Sequence, residues 1–186
     1  MKITPNGFSI LRTALGGLNK SQVAEIEFIV SEMDKDKSIS YPQAAYILAT
    51  TWHETAHTML PIEEYGKGKG RKYGQHYDMD GSIYSDLDHI YYGRGYVQLT
   101  WLSNYAFAKK KLGVDFVNYP EYALQKEHAV KILLTGMKEG WFTGRKLSDY
   151  INQSKKDYVN ARRIINGTDK AQAIAGYANT FEKALR

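Results

Sequence analysis

Tyr91-Tyr92-Gly93-Arg94-Gly95-Tyr96-Val97-Gln98-Leu99-Thr100-Trp101, followed by Asn104-Tyr105, is the stretch on which the reading of this chain turns. An arginine stands between two glycines, which permit backbone geometry that side chains block. Gln98, Thr100 and Asn104 follow at spacings of two and then four, with aromatic rings all around them. Amide side chains offer a donor and an acceptor together. Tyrosine offers a flat apolar face and a hydroxyl tip. The combination suits a groove that holds a sugar chain. The plainer reading of Tyr91, Tyr92 and Tyr96 is core packing, and at least one of them is expected to be mostly buried.

Upstream, Ser40-Tyr41-Pro42-Gln43 reads as a helix start. Ser40 is the expected N-cap, with Pro42 in the first turn and Gln43 closing a capping box. Ala45, Leu48, Trp52 and Ala56 form an apolar stripe along this helix. Pro61 disfavours helix at Leu60, so the helix is expected to stop near Met59. That puts Glu54 in its last turns, off the stripe, on the face of Ile47, Thr50 and Thr51. The segment carries two chemistries. His53-Glu54-Thr55-Ala56-His57 spells HExxH, in which two histidines one helical turn apart hold zinc and the Glu acts on bound water. A zinc peptidase needs a third ligand, for which Glu121 or Glu127 is available. The longer metzincin pattern fails, because Leu60 and Glu63 stand where a Gly and a His are needed. Alternatively, glycoside hydrolysis needs a protonated acid and an ionised carboxylate on opposite sides of the scissile bond, about 6.5–9.5 Å apart in inverting enzymes. Glu54 beside Trp52 suits the acid. Glu63 and Glu64, just beyond Pro61, suit the base.

Around these segments the chain reads as one mainly α domain of 186 residues, long enough for a real core. A helical N-terminal segment covers about 1–38, in which Phe8, Leu11, Leu15 and Leu18, then Val23, Ile26, Ile29, Val30 and Met33, recur at helical spacing. Asn19 or Ser21 caps the second of its helices. Asp34-Lys35-Asp36-Lys37-Ser38 opens like a calcium loop, but Ile39 and Ala45 replace the required Gly and Glu. The core that carries the motifs runs from about 40 to 185. Residues 63–90 lose the helical period and are rich in Gly, Lys and Tyr, with Asp80-Gly81 as a hairpin turn. Helix resumes from Gln98, breaks at Gly113 and at Tyr119-Pro120, and returns at Ala123–Met137. Short helices follow at 147–151 and 158–165, and a final helix is capped by Thr168 or Asp169.

His53-Glu54-Thr55, the Tyr91–Tyr105 block and Ile164-Ile165-Asn166-Gly167 together resemble the motif series of the glycoside hydrolase family 19 chitinases, in order and in rough spacing. Thr58-Met59-Leu60-Pro61-Ile62 with Glu64, and the Gly136–Gly144 run, are similar to the phage endolysin branch of that group. The resemblance covers about residues 40–185. It implies a lysozyme-like α fold with a small irregular or β-hairpin lobe beside the substrate cleft. It also implies cleavage of β-1,4 bonds in bacterial peptidoglycan, with inversion and without a cofactor or metal. Glu54 matches the general acid and Glu64 the base, with Glu63 as the alternative. Thr100 matches the group that positions the attacking water. Tyr92, Gln98, Asn104, Tyr105 and Asn166 match groups that line the cleft, and Arg94 matches an organiser of the glycine-flanked turn. Chitin cleavage, the HExxH peptidase and a non-catalytic saccharide binder are the alternatives.

Composition bounds the partners. The chain has no cysteine, which excludes thiolate zinc sites and disulfides and separates it from the disulfide-rich plant enzymes. A net charge of +5 and a pI of about 9.1 favour an anionic partner. The cations are dispersed, densest at Lys67, Lys69, Arg71 and Lys72, and read as solvated faces rather than a nucleic-acid patch. No stretch is apolar enough for membrane insertion, and no secretory signal is visible. The expectation is a monomer made in a host cytoplasm that meets the glycan strands of the wall after the membrane is breached.

Overall fold

A computed structural model of the protein describes residues 1–186. It is mainly helical, with seven α-helices and one two-stranded sheet. The chain divides into two compact units, one of Met1–Met59 with Leu134–Arg186, the other of Leu60–Leu133.

In the first unit, α1 (Pro5–Leu15) is capped by Thr4, whose side chain accepts from the Gly7 amide, and ends at Gly16 in the left-handed region. α2 (Lys20–Lys35) and α3 (Tyr41–Glu54) both begin with full capping boxes, Asn19 with Gln22 and Ser40 with Gln43. Of the two expected caps for α2, Asn19 is the one used. α3 is buried on every side from Ala44 to Trp52. The face of Ile47, Thr50 and Thr51, which lies off the apolar stripe, is therefore core as well. Thr51 and Thr55 hide their hydroxyls by donating to the carbonyls of Ile47 and Thr51, one turn back. α7 (Ala171–Ala184) packs along α3, and α1 packs on α7. The second contact is close enough that a Cβ on Gly7 would stand 2.4 Å from the Ala184 carbonyl oxygen. The expected cap of α7 is not used. Lys170 holds the N-cap position in the left-handed conformation, without a side-chain cap, and the Thr168 carbonyl accepts from the Ala171 amide. The short helix α6 (Leu147–Tyr150) and a 3₁₀ turn, Asn160–Ile164, complete this unit.

The acidic loop after α2 is explained by ion pairs. Asp34 pairs with the terminal amine and with Lys37, and Asp36 pairs with Lys138. The Lys138 ammonium, then Ser38, hold the Asp36 carboxyl down to about 2 from an ordinary 3.8. A carboxyl depressed by folding stabilises the fold above its unfolded value and loses that contribution as pH falls. We therefore expect Lys138→Gln to lower the melting temperature at neutral pH and the difference from wild type to close between about pH 4 and 2. Paired thermal melts across that range read it.

In the second unit, Ile62–Glu63 (β1) pairs antiparallel with Arg94–Gly95 (β2), setting Ile62 opposite Gly95 and Glu63 opposite Arg94. The expected hairpin is present: Tyr77 bridges Ile83, and Gly81 takes the left-handed turn position. Helix does not resume at Gln98. Gln98 and Trp101 both have positive φ, so α4 is confined to Leu102–Leu112, closed by left-handed Gly113. The helix expected at 123–137 starts with a separate 3₁₀ turn, Pro120–Leu124. It continues as α5 (Lys126–Glu139), within which the division between the units falls. Tyr91, Tyr92 and Tyr96 are all buried. No helix is long and apolar enough to cross a membrane.

Candidate active site

Glu54 is the last residue of α3. The helix stops five residues before the expected Met59, because the chain turns out of it immediately. Ala56, His57 and Met59 have φ of 49°, 70° and 62°, and the His57 amide reaches back to the Trp52 carbonyl at 2.8 Å. Buried Thr55 fastens the exit, its hydroxyl oxygen accepting from the Met59 amide at 3.0 Å. His57 is thus not a helical residue one turn beyond His53. Its ring lies flat on Trp52, centroids 4.8 Å apart, and meets Tyr177 edge-on. The HExxH reading needs both histidines on one helical face, and that helix has ended. Nor do any three His, Asp or Glu side chains converge as a metal site would require. The donor set does not fit zinc.

Glu54 meets a guanidinium instead. Arg162 Nη1 donates to Glu54 Oε1, and Arg162 Nε donates to the Asp169 carbonyl at 2.9 Å. The Arg162 side chain is 4% exposed and that of Glu54 15%. Neighbouring His53 is pushed below its ordinary value by burial, which the Glu54 charge opposes. Arg162 was not singled out from sequence, since it lies 108 residues from its partner. Its signal was an arginine among the apolar Ile164-Ile165 positions, two residues before the motif that ends at Asn166-Gly167. Asn166 is exposed in the turn that follows, its side-chain oxygen accepting from the Gly167 amide.

The second unit separates its two candidate bases. Glu63 accepts from the Tyr92 hydroxyl at 2.6 Å, pairs with Lys67 at 3.1 Å and lies 3.9 Å from Arg94 Nε. The Tyr92 hydrogen bond, then Lys67, hold its carboxyl below the usual range against the opposing effect of burial. Glu64 meets no cation. Its oxygens accept from the Tyr73 hydroxyl at 3.0 Å and from the Gly93 amide at 3.3 Å. Tyr73, which the sequence did not mark, is set edge-on against Trp101, and burial pushes its hydroxyl up.

The Tyr91–Tyr105 block splits by role. Arg94 is buried and organises the turn as expected. Its Nη1 donates to the Ile90 carbonyl and the Tyr105 hydroxyl, and its guanidinium lies 3.7 Å from the centre of the Tyr92 ring. Tyr105, expected to line the cleft, is fully buried, and its hydroxyl donates to the Tyr92 carbonyl. It braces the turn. Gln98 is half-buried. Its amide nitrogen donates to the carbonyls of Ile62 and Gly95, which ties β1 to the turn and spends both amide hydrogens. Tyr92 is nearly buried and faces Glu63. Thr100 and Asn104 are half-buried. The Thr100 hydroxyl donates to the Gln98 carbonyl at 2.7 Å, leaving its lone pairs to accept from water. Asn104 donates to the Thr100 carbonyl through its amide nitrogen, leaving its carbonyl oxygen as an acceptor.

The fold is shared with solved family 19 chitinases. Chitinase C from Streptomyces griseus HUT6037 is similar at 22% identity and a TM-score of 0.64, over 94% of this chain and 88% of that one. A bacterial family 19 chitinase is similar at 21% identity and a TM-score of 0.53, over 98% of this chain and 86% of that one. A class IV family 19 chitinase from Zea mays gives 21% and 0.53, over 100% and 82%. The likeness establishes the lysozyme-like, mainly α fold read from the sequence. No protein-family profile and no curated protein sequence matches the chain.

Proposed function

We propose that this protein is a peptidoglycan-cleaving glycosidase of the phage endolysin type, working by two carboxylates with inversion. Glu54 gives its proton to the glycosidic oxygen, and the Arg162 guanidinium faces the carboxylate that donation leaves behind. Glu64 takes a proton from water as the water oxygen attacks the anomeric carbon from the opposite face. Thr100 accepts the other water O–H, which aims the lone pair. The C–O bond breaks, the leaving oxygen keeps the Glu54 proton, and the new hydroxyl carries inverted configuration. Asn104 and Asn166 offer amide oxygens to sugar hydroxyls and N-acetyl groups.

The observation that carries the reading is the contrast between the adjacent glutamates. Glu63 is occupied by Lys67, Arg94 and Tyr92, whereas Glu64 accepts from neutral donors alone, the Tyr73 hydroxyl and the Gly93 amide. No cofactor takes part. The partners are glycan strands, met by a monomer made in the host cytoplasm once the membrane is breached. The basic charge favours the anionic wall over an uncharged polymer.

A second reading, chitin hydrolysis, is favoured by the names of the three structural neighbours given above, each a chitinase. Turnover of N-acetylglucosamine oligomers beside that of purified peptidoglycan separates the two. The proposal expects new reducing ends from peptidoglycan at the higher rate. Cleavage of the oligomers alone reassigns the protein as a chitinase.

A further inference from the structure

Between Glu64 and Gln75 the chain makes a hoop of consecutive turns. The amides of Lys67, Lys69, Arg71, Gly74 and Gln75 each bond a carbonyl three residues back, at 2.8–3.1 Å. Gly68 and Gly70 hold left-handed φ of 74° and 76°. The hoop is pinched shut where Gly68 meets Gly74, so closely that a Cβ on Gly74 would stand 1.8 Å from the Gly68 carbonyl oxygen. Tyr65, Lys67, Lys69, Arg71 and Lys72 are all exposed, Tyr65 at 81%. Lys67 has a carboxylate, Glu63. Lys69, Arg71 and Lys72 have none, and the hoop between Tyr65 and Gln75 contains no acid. Three uncompensated cations and an open aromatic ring are thus held on an ordered loop that begins beside the proposed base.

We infer that this hoop is a carboxylate-binding subsite that takes the acidic peptide branches of the glycan, with Tyr65 lying against the polymer and Lys69, Arg71 and Lys72 pairing with branch carboxylates. The inference rests on the reading of peptidoglycan as substrate and goes further, because it locates the preference for a branched, anionic glycan over an unbranched, neutral one. Arg71 offers a planar fork suited to a carboxylate, and the two lysines offer point charges. A loop ordered before binding loses little entropy on engagement. Pairs this exposed are individually weak and screened by salt, so the effect resides in the set of three.

The test uses the full-length chain carrying Glu54→Gln, so that the polymer stays uncut, and measures its co-sedimentation with insoluble peptidoglycan. One portion of polymer is native. In the other, carboxylates have been converted to neutral amides with carbodiimide and methylamine. Lys69→Gln/Arg71→Gln/Lys72→Gln is expected to weaken binding to native polymer about tenfold, to leave binding to the amidated polymer unchanged, and to flatten the salt dependence. Lys20→Gln/Lys131→Gln/Lys183→Gln removes equal charge outside the hoop and is expected to have little effect. The inference is overturned if both triple variants weaken binding alike, if the hoop variant binds native polymer as its parent does, or if it loses affinity for a DNA oligonucleotide and none for peptidoglycan. Binding is read without turnover. A wild-type chain that releases no reducing ends would defeat the glycosidase reading and leave this result standing by itself.

Discussion

Glu54→Gln is expected to lower the rate of glycan cleavage by about 10²–10⁴-fold, the range over which a positioned general acid contributes. Gln keeps the shape and still offers Oε1 to Arg162, so the hydrogen bond survives while the proton to be donated is lost. The charge of Arg162 is then less well compensated, since both of its acceptors, the amide oxygen at position 54 and the Asp169 carbonyl, are neutral. Some loss of melting temperature accompanies the loss of activity, and a circular dichroism spectrum like that of wild type shows that the fold is retained. Substrate binding should change little, so the defect should lie in kcat rather than KM. A folded variant with near-normal turnover would remove Glu54 from the mechanism.

Arg162→Met is expected to cost roughly 3 kcal/mol, because it strands a mostly buried carboxylate and the Asp169 carbonyl together. For a chain of this size that corresponds to a fall of about 6–12 °C in melting temperature. Arg162→Lys keeps the charge but not the fork that reaches two acceptors at once, and should fall between the two. Because the Glu54 carboxylate would lose its tether, activity should drop even at temperatures where the variant is folded. Thermal melts and turnover on the same preparations read both effects. A variant as stable as wild type would mean that the Glu54–Arg162 contact holds nothing in place.

Much of this was legible locally. The cap at Asn19, one of two offered for α2, the capping box at Ser40–Gln43, the Asp80-Gly81 turn and the Gly113 stop are short-range chemistry, and each stands where the residues put it. The end of α3 was not legible. Ala56, His57 and Met59 take positive φ without a glycine among them, and tertiary contacts must hold such a geometry, here the stacking of His57 on Trp52 and the burial of Met59. The same holds for Gln98 and Trp101, whose left-handed backbone delays α4, and for Lys170 at the start of α7. At the candidate site, residue types identified the groups but not their partners. Gln98 and Tyr105 read as sugar ligands because amide and phenol chemistry suits sugars, and the Gln98 amide hydrogens and the Tyr105 hydroxyl hydrogen are used inside the turn. Arg162 and Tyr73 came from pairings across 108 and 9 residues that no local pattern announces.

Mass spectrometry of the fragments released from purified peptidoglycan, after borohydride reduction, tests the central claim most directly. The glycosidase account predicts muropeptides with intact stem peptides, each ending in a newly formed and therefore reduced sugar, and none of these from Glu54→Gln. Fragments cut within the peptide, with no new reducing sugar, would contradict it.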